Sequence, residues 1–543
     1  METLSKQPCL KSLSTAKEPS MSLPEYHQQE DFKVRSTKLA EIRKMGIEPY
    51  PHKFTPTHTA LDLQKDFAKK ELTHDEAQEG KTPKAVVAGR LVLFRAMGKN
   101  AFGHIQDESG RIQIMFNRDQ TKVEGLDPEK AEITPIKFIE KKLDLGDILG
   151  VEGNLFYTQK GELTLFAKKV TLLTKTLLPL PDKHAGLSDK GVRYRKRWLD
   201  LISEPDSAQR FFLRSKVLKI IRHFMEDQDF MEVETPIVQN IYGGAEARPF
   251  MTHLNALDQE MYLRIALEIS LKKLVVGSLK KVYEIGKIFR NEGIDRTHNP
   301  EFTMMEAYAP YWDYSDMRKL VENLYAEIAK KLTGSTKVTV FFAEKETEID
   351  LTPPWTALTM KEALEKYVQI DTDSLSDEEL KKLLIKEANI EEKDLKGLKR
   401  GSLITMCFEE FAEKHLIQPH HIIDYPIETS PLAKPHRDPE LKKQGIIERF
   451  ESYVLATEVA NSYSELNDPE LQRKLLEEQA KLLSEGNEEA HPIDEEFLES
   501  ICQGMPPTAG LGIGIDRLVM LFTNAPSIRD VIYFPLMKPE HTS

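Results

Sequence analysis

Cysteine is almost absent: the chain has three in 543 residues, Cys9, Cys407 and Cys502, all far apart. That spacing gives neither a zinc-type ligand set nor an even disulfide framework, and it suits a reducing cytoplasm. Long apolar runs are missing as well. No uncharged stretch approaches the ~20 residues that a bilayer span needs, so no membrane partner is expected. The first thirty residues hold no secretory apolar core and no arginine, and they carry Glu2, Glu18 and Glu25. These features argue against a signal or transit peptide. Positive charge is not in excess either. The formal net charge of −13 excludes a general nucleic-acid coat but leaves room for local basic patches. Finally, GLGIGIDR (510–517) lacks the third glycine of a dinucleotide fingerprint.

What remains is ordinary soluble composition: 40% hydrophobic, 30% charged, mean hydropathy −0.44. The length favours two or three domains. Residues 1–35 are polar and read as a disordered tail. Residues 36–82 read as a helical segment, with Leu39, Ile42 and Met45 at helical spacing before Gly46. From Ala85 the texture changes to short alternating strands, with turns at Gly98-Lys99-Asn100, Glu108-Ser109-Gly110 and Lys160-Gly161. A helical interval near 127–142 interrupts them. Five strands over 83–176 predict an OB-fold barrel. Phe102 is placed to stack on a base, with Arg90, Arg95, Lys99 and Arg111 available for phosphates. An oligosaccharide- or protein-binding barrel with core aromatics is the alternative. Residues 177–200 read as a linker. Its cluster Lys190, Arg193, Arg195, Lys196 and Arg197 is either a solvated face or a phosphate contact.

The larger region, 201–543, is organised around FRNEGIDRTHNPEFTMMEAY (289–308). On an antiparallel hairpin, Arg290 and Glu292 would share a face opposite Phe302, with Glu306 and Tyr308 further along the second arm. Buried charges must be paired, so so charged a hairpin floors a polar pocket or else is a salt-bridged surface. A helix from Ser207 runs into Phe230–Pro236, and Gly243-Gly244 permits close backbone approach. Glu268 sits in an apolar stretch, four residues before Lys272, at the spacing of a helical salt bridge. Residues 344–416 read as a solvated helical insertion without chemistry. Glu451 and Glu458 lie on two strands read as free of Lys and Arg, a pattern suited to magnesium or to plain strand-edge glutamates. In Gly510–Phe522 a glycine-alternating strand lets a ligand lie flat, and Arg517 follows to grip phosphate.

Together these stretches resemble the three motifs of class II aminoacyl-tRNA synthetases: 230–236 with its helix, 289–308, and 510–522. With an OB-fold in front, the chain resembles the lysine, aspartate and asparagine subclass. GGAEARPF, YLRIALE, IETSPLAKP, NSYSELNDP and MGIEPYP are similar to lysyl-tRNA synthetases. The match covers about 36–540. The resemblance implies an α+β fold, an N-terminal five-stranded OB-fold anticodon domain plus an antiparallel sheet flanked by helices, in a homodimer. It implies ATP, L-lysine and the tRNA for lysine as partners, with Mg²⁺ as cofactor and a lysyl-adenylate intermediate.

The resemblance also assigns roles. Arg290 would hold the α-phosphate and the lysine carboxylate, and with Arg517 it would be catalytic. Glu292 would meet the lysine α-amino group or the adenine region. His298 and Asn299 would lie near ATP. Phe302 would stack on adenine, with Arg517 on its other face or on the γ-phosphate. Glu451 and Glu458 would hold magnesium. Glu268, Glu306, Tyr308, Asn461, Tyr463 and Glu465 would read lysine, with Gly244 closing over it. Phe102, Gln113 and Glu162 would read a uridine-rich anticodon. Two departures stand out: Leu267 replaces a proline common in the family, and Thr457–Tyr463 replaces REIGNGF. Competing readings are an aspartyl- or asparaginyl-type synthetase, disfavoured by Glu268 and Glu306, and a non-catalytic RNA-binding regulator, disfavoured by intact Arg290, Glu292, Glu451, Glu458 and Arg517.

Overall fold

The computed structural model describes residues 24–68, 70–181, 187, 189–485 and 491–539. The chain divides into two compact units, Met1–Gly186 and Leu187–Ser543. No helix among the described residues is long and apolar enough to cross a membrane.

In the first unit the helix expected near 38–45 starts earlier, at Glu30, and runs to Lys44. The part of the expected tail from 24 to 35 therefore carries structure, and residues 1–23 lie outside the described residues. Leu39 and Ile42 are buried, which anchors that helix. The barrel strands are β1 (Lys84–Met97), β2 (Asn100–Gln106), β3 (Arg111–Asn117), a short β4 (Lys122–Val123), β5 (Ile148–Tyr157) and β6 (Leu163–Thr174). They pair in the order β3-β2-β1-β5-β6, and β3 closes on β6 in parallel. Alternation gives the barrel its inside: every second residue of β2 is buried, among them Ala101 and Ile105. The turns fall where the sequence places them, and two short helices, Pro128–Ala131 and Pro135–Lys142, fill the expected helical interval.

In the second unit the basic run is not a linker. From Lys190 it forms helices Lys190–Arg195 and Arg197–Ser203. Arg197 is buried, 2.6 Å from Asp200, and donates to the carbonyls of Arg529, Ile532 and Tyr533. Arg193 pairs with the same Asp200 at 2.6 Å. These two arginines tie chain segments together, so neither is left for phosphate.

The helix Pro205–Asp227 leads to β7 (Phe230–Glu232). A small antiparallel sheet follows, made of β8 (Val238–Gln239), β9 (Met251–Leu254) and β10 (Gln259–Leu263). Then come β11 (Lys281–Phe289), β12 (Glu301–Pro310), the hairpin β13 (Lys337–Phe342) and β14 (Lys345–Asp350), and β15 (Thr356–Thr359). The last strands are β16 (His420–Pro426), β17 (Ile446–Tyr453), β18 (Glu458–Ser464) and β19 (Thr508–Gly514). The main sheet has eight strands in the order β15-β16-β17-β18-β19-β12-β11-β7, antiparallel except for its outermost pairs. Helices Pro205–Asp227, Tyr314–Thr333 and Ile515–Thr523 cover one face, burying Val217, Ile221, Leu324, Ile328 and Leu518 against Met305 and Ile513. The other face holds the site.

The expected helical insertion is corrected at its start: 345–350 and 356–359 are strands, and β15 extends the main sheet. The helices occupy Met360–Val368, Asp377–Ala388 and Arg400–Cys407. They are not merely solvated, since Leu364, Leu380, Leu384 and Leu403 build a separate apolar core. Each helix buries one stripe, and the charged outer faces dominate the composition.

Candidate active site

The floor of the site follows from strand register. Tyr308 of β12 stands beside Gly510 of β19, then Tyr463 of β18, then Arg449 of β17. In the next row lie Glu306, Gly512, Asn461 and Glu451. Met304 and Gly514 begin a third row. Because side chains alternate, these residues share one face. The middle strand offers only glycines there, leaving a bare channel between functional side chains. A Cβ on Gly510 would collide with Glu465 and Tyr308. The cavity above is about 400 Å³, within the usual range for small-molecule sites.

One end is acidic. The Glu306 carboxylate accepts from the Leu267 N–H at 2.8 Å and from the Tyr308 hydroxyl at 3.1 Å. Burial, and then the charge of Glu268, pushes its carboxyl up to about 7. Glu268 opens the helix Glu268–Val276; its Oε2 accepts from the Tyr463 hydroxyl and its Oε1 from Lys272 Nζ, each at 2.5 Å. The helical salt bridge is thus made, and Glu268 still lines the cavity. Lys272 is fully buried and also ion-paired with Glu465, which sits behind the lining rather than in it. Burial opposes the Lys272 ammonium, but the two carboxylates more than offset it and its pKa is raised. Gly244 has φ +88°, and a Cβ there would stand 2.9 Å from that of Glu268. This left-handed position brings backbone directly over the acidic end.

The other end is mixed. β11 stops at Phe289, so Arg290 and Glu292 are not strand residues as expected. Arg290 still keeps the register through its N–H to the Pro300 carbonyl at 2.9 Å, whereas Glu292 lies in the exposed loop. The Arg290 guanidinium stands 5.4 Å from the Phe302 ring centre, and burial lowers its pKa. Arg517 donates to Glu458 Oε2 at 3.1 Å and to His298 Nε2 at 3.0 Å. An accepting Nε2 leaves the His298 ring proton on Nδ1, 2.8 Å from Asp295. Asp295 is held down to about 2 despite partial burial, first by the Thr297 N–H and then by His298. Asn299 donates to the Glu301 carbonyl, while its buried Oδ1 has no partner among the described residues.

The strands carrying Glu451 and Glu458 are not free of cations. Arg449 lies two residues before Glu451 on the same face and donates to it at 2.6 Å, as it does to Asn461 at 3.2 Å. The Tyr425 and Tyr453 hydroxyls also donate to Glu451. Glu458 is raised by burial and then by Glu451. From the insertion, exposed Glu409 and half-buried Glu413 stand near Glu451 without lining the cavity; desolvation and then neighbouring carboxylates, Glu451 among them, push both carboxyls up to about 7. The alternation that singled out Glu451 would also have found Arg449. Nothing local in 409–413 pointed to the site.

In the barrel, Phe102 and Met115 are register partners, as are His104 and Gln113. Gln113 Nε2 donates to Glu162 at 2.8 Å, and His104 meets the other Glu162 oxygen at 2.8 Å. Phe102 is half-buried against the Met115, Phe156 and Phe166 cluster. Arg95, Lys99 and Arg111 are exposed, but Arg90 donates to the Gly146 carbonyl at 2.7 Å.

Comparison with known proteins agrees with this geometry. Residues 189–538 match the model for class II tRNA synthetases (D, K and N), and residues 85–173 match the OB-fold nucleic acid binding domain. A lysine–tRNA ligase of Chlamydia caviae is 55% identical over 522 residues, 95% of this chain and 99% of that one. Lysine–tRNA ligases of Thermoanaerobacter sp. (strain X514) and Nostoc punctiforme are 46% and 45% identical, covering 94% of this chain and 96% and 88% of theirs. The two family matches and 45–55% identity over nearly the whole chain lead to one conclusion: the chain belongs to the class II tRNA synthetases, among the lysine–tRNA ligases.

Proposed function

We propose that the second unit joins L-lysine to ATP as lysyl-adenylate and passes the lysyl group to its tRNA, whose uridine-rich anticodon the barrel reads. The observation that carries this is the glycine channel, with carboxylates and phenols at one end and the Arg290 and Arg517 guanidiniums beside Phe302 at the other. Glu268, Glu306, Tyr308 and Tyr463 suit a side-chain ammonium, a compact and strongly hydrated charge that must regain partners on burial. Arg290, Arg517 and Phe302 suit phosphates and a flat base.

Arg290 neutralises the two anions that must meet, the lysine carboxylate and the α-phosphate. A carboxylate oxygen attacks phosphorus in line, the bond to the β-phosphate oxygen breaks, and pyrophosphate leaves. The 3′-terminal hydroxyl of the tRNA then attacks the acyl carbon, and AMP leaves. Arg517 is aimed by Glu458 and His298, and Glu292 and Asn299 with its unpartnered oxygen serve the nucleotide or the α-amino group. Glu451 and Glu458 fit Mg²⁺: they are hard oxygen donors, and the mutual charge that raises Glu458 is what a dication relieves. Two carboxylates suffice when phosphates complete the shell. When bound there, the ion would draw charge from the departing pyrophosphate.

Exposed Ile237, Val238, Met251, Leu254 and Leu257 on and beside the small sheet support a homodimer; sedimentation should give twice the chain mass. The low cysteine count supports a cytoplasmic setting. The decisive assay is pyrophosphate exchange with each of the twenty amino acids. Lysine should stimulate it above all others. Preference for aspartate or asparagine, or no exchange at all, sinks the proposal.

A further inference from the structure

The pairing of β12 with β19 stops at Met304 and Gly514, because β19 there turns into the helix Ile515–Thr523. Thr303, one residue further out on β12, is buried, and its N–H has no rung left to join. A buried N–H is rarely left without a partner. Here the Asp516 carboxylate takes it at 2.6 Å. The other oxygen of that carboxylate accepts from Arg214 Nη1 at 2.5 Å. Arg214 comes from the helix Pro205–Asp227. Its Nη2 donates to the Thr303 hydroxyl at 3.0 Å, and its Nη1 also reaches the Val531 carbonyl at 3.3 Å. One guanidinium thus joins the long helix, β12, the last helix and the C-terminal segment. Arg214 does not line the cavity, but Asp516 and Thr303 do. Their immediate neighbours in the chain are Arg517 and Phe302.

We propose that Arg214 is a positioning residue for the nucleotide: it fixes Asp516 and Thr303, and through them sets Arg517 and Phe302, without itself meeting the ligand. This rests on the reading that this end of the cavity takes ATP. Past the Met304–Gly514 rung, no backbone pairing ties Phe302 to Arg517. Their separation therefore depends on the side chains of Asp516 and Arg214. Misplacing binding groups by about 1 Å is enough to cost binding and rate. A lysine at 214 would keep the charge but lose the fork, since a point ammonium cannot hold a carboxylate and a hydroxyl along two fixed directions. With no cation at all, Asp516 is a buried carboxylate without its counter-charge and must move. The acidic end is held separately. Glu268 and Glu306 bond to Lys272, Tyr463, Tyr308 and the Leu267 N–H, none of which meets Arg214. Arg214 therefore acts on ATP and leaves lysine alone, whereas a residue that merely glued helix to sheet would loosen both ends alike.

The test uses the full-length enzyme with Arg214→Lys, Arg214→Met, Asp516→Asn and the double variant of the last two. Lysine-dependent pyrophosphate exchange gives the ATP KM, and calorimetry without ATP gives the lysine Kd. Thermal unfolding sets a temperature at which the variants compared are folded. Both Arg214 changes should raise the ATP KM at least about tenfold, as expected when one partner of a buried pair is removed, with the lysine Kd within about threefold of wild type. The double variant should have an ATP KM within about threefold of that of Arg214→Met, because the two groups act as a unit. An unaltered ATP KM in the folded Arg214 variants overturns the inference. So do ATP and lysine affinities that fall together, or losses that multiply in the double variant. If Arg214→Met fails to fold, Arg214→Lys decides on the same split between ATP and lysine. If that fails too, Thr303→Val, which removes one arm of the fork, should raise the ATP KM about threefold or more with an unaltered lysine Kd; an unaltered ATP KM overturns the inference. Exchange in the wild-type enzyme that lysine fails to stimulate would instead strike the parent reading, and it is measured before any variant is made.

Discussion

On the proposed reading, Glu306 should make lysine binding sensitive to pH in the neutral range. Its carboxyl is held at about 7 because it is buried and faces Glu268; the Leu267 N–H, the Tyr308 hydroxyl and Arg290 pull it partly back. The raised value means that the empty site carries a protonated Glu306 below pH 7. An ammonium needs the ionised form, so the binding-competent fraction is about 0.9 at pH 8 and about 0.1 at pH 6, and apparent affinity scales with that fraction. The dissociation constant for lysine, measured by calorimetry without ATP, should therefore rise about tenfold from pH 8 to pH 6. Near pH 7, binding should release about half a proton per site, read from buffers of different ionisation enthalpy. The stability sign runs the same way. A carboxyl raised from 4.5 to about 7 favours the empty fold below pH 4.5, and that contribution of about 3 kcal/mol is lost as pH rises through 7. Lysine should consequently raise Tm more at pH 8 than at pH 6. Glu306→Gln should bind more weakly and lose most of the slope. A flat profile in the wild-type protein, or an unchanged slope in the variant, refutes the reasoning.

Further changes probe the rest of the site. Glu268→Gln should raise the KM for lysine at least about tenfold and that for ATP far less; equal effects on both would count against a side-chain ammonium at this end. Gly510→Ala places a methyl against Glu465 and Tyr308, an overpacking of about 1–3 kcal/mol, and should weaken lysine binding more than it lowers Tm. Phe102→Ala should weaken tRNA binding about fivefold or more, the loss of one stacked base, while leaving tRNA-independent pyrophosphate exchange intact. If exchange falls as well, the barrel is not acting through the anticodon.

Features that depend on near neighbours were legible in the sequence. The barrel turns follow from local rules, as does the glycine strand ahead of Arg517. What stayed hidden was set by distant partners. Lys272 and Glu268 gave a helical spacing, but only the fold brings Glu465 from behind β18 to the same ammonium. Arg193 and Arg197 looked like a solvated or phosphate-binding run because their acceptors lie at Asp200 and in the C-terminal segment near 529–533. The opening of the insertion was absorbed into a Glu- and Lys-rich helical reading because β14 is mostly charged residues, being a strand of a two-stranded sheet with much of its surface in solvent. Arg290 escaped strand geometry because β11 ends one residue before it, at Phe289, where the chain enters an exposed loop.

The glycine channel makes the site a ruler. Gly510 to Gly514 is four residues of β19, about 13–14 Å at strand rise, and no side chain on that strand interrupts the scale. The acidic end and the end with the two arginines are therefore held at a separation that backbone geometry sets and that side-chain drift cannot easily alter. On the proposed reading, a diamino acid one methylene short should bind more weakly than lysine, whatever its charge. Any mutation of the scale itself can only add matter, so the two ends can be retuned independently while the distance between them stays fixed.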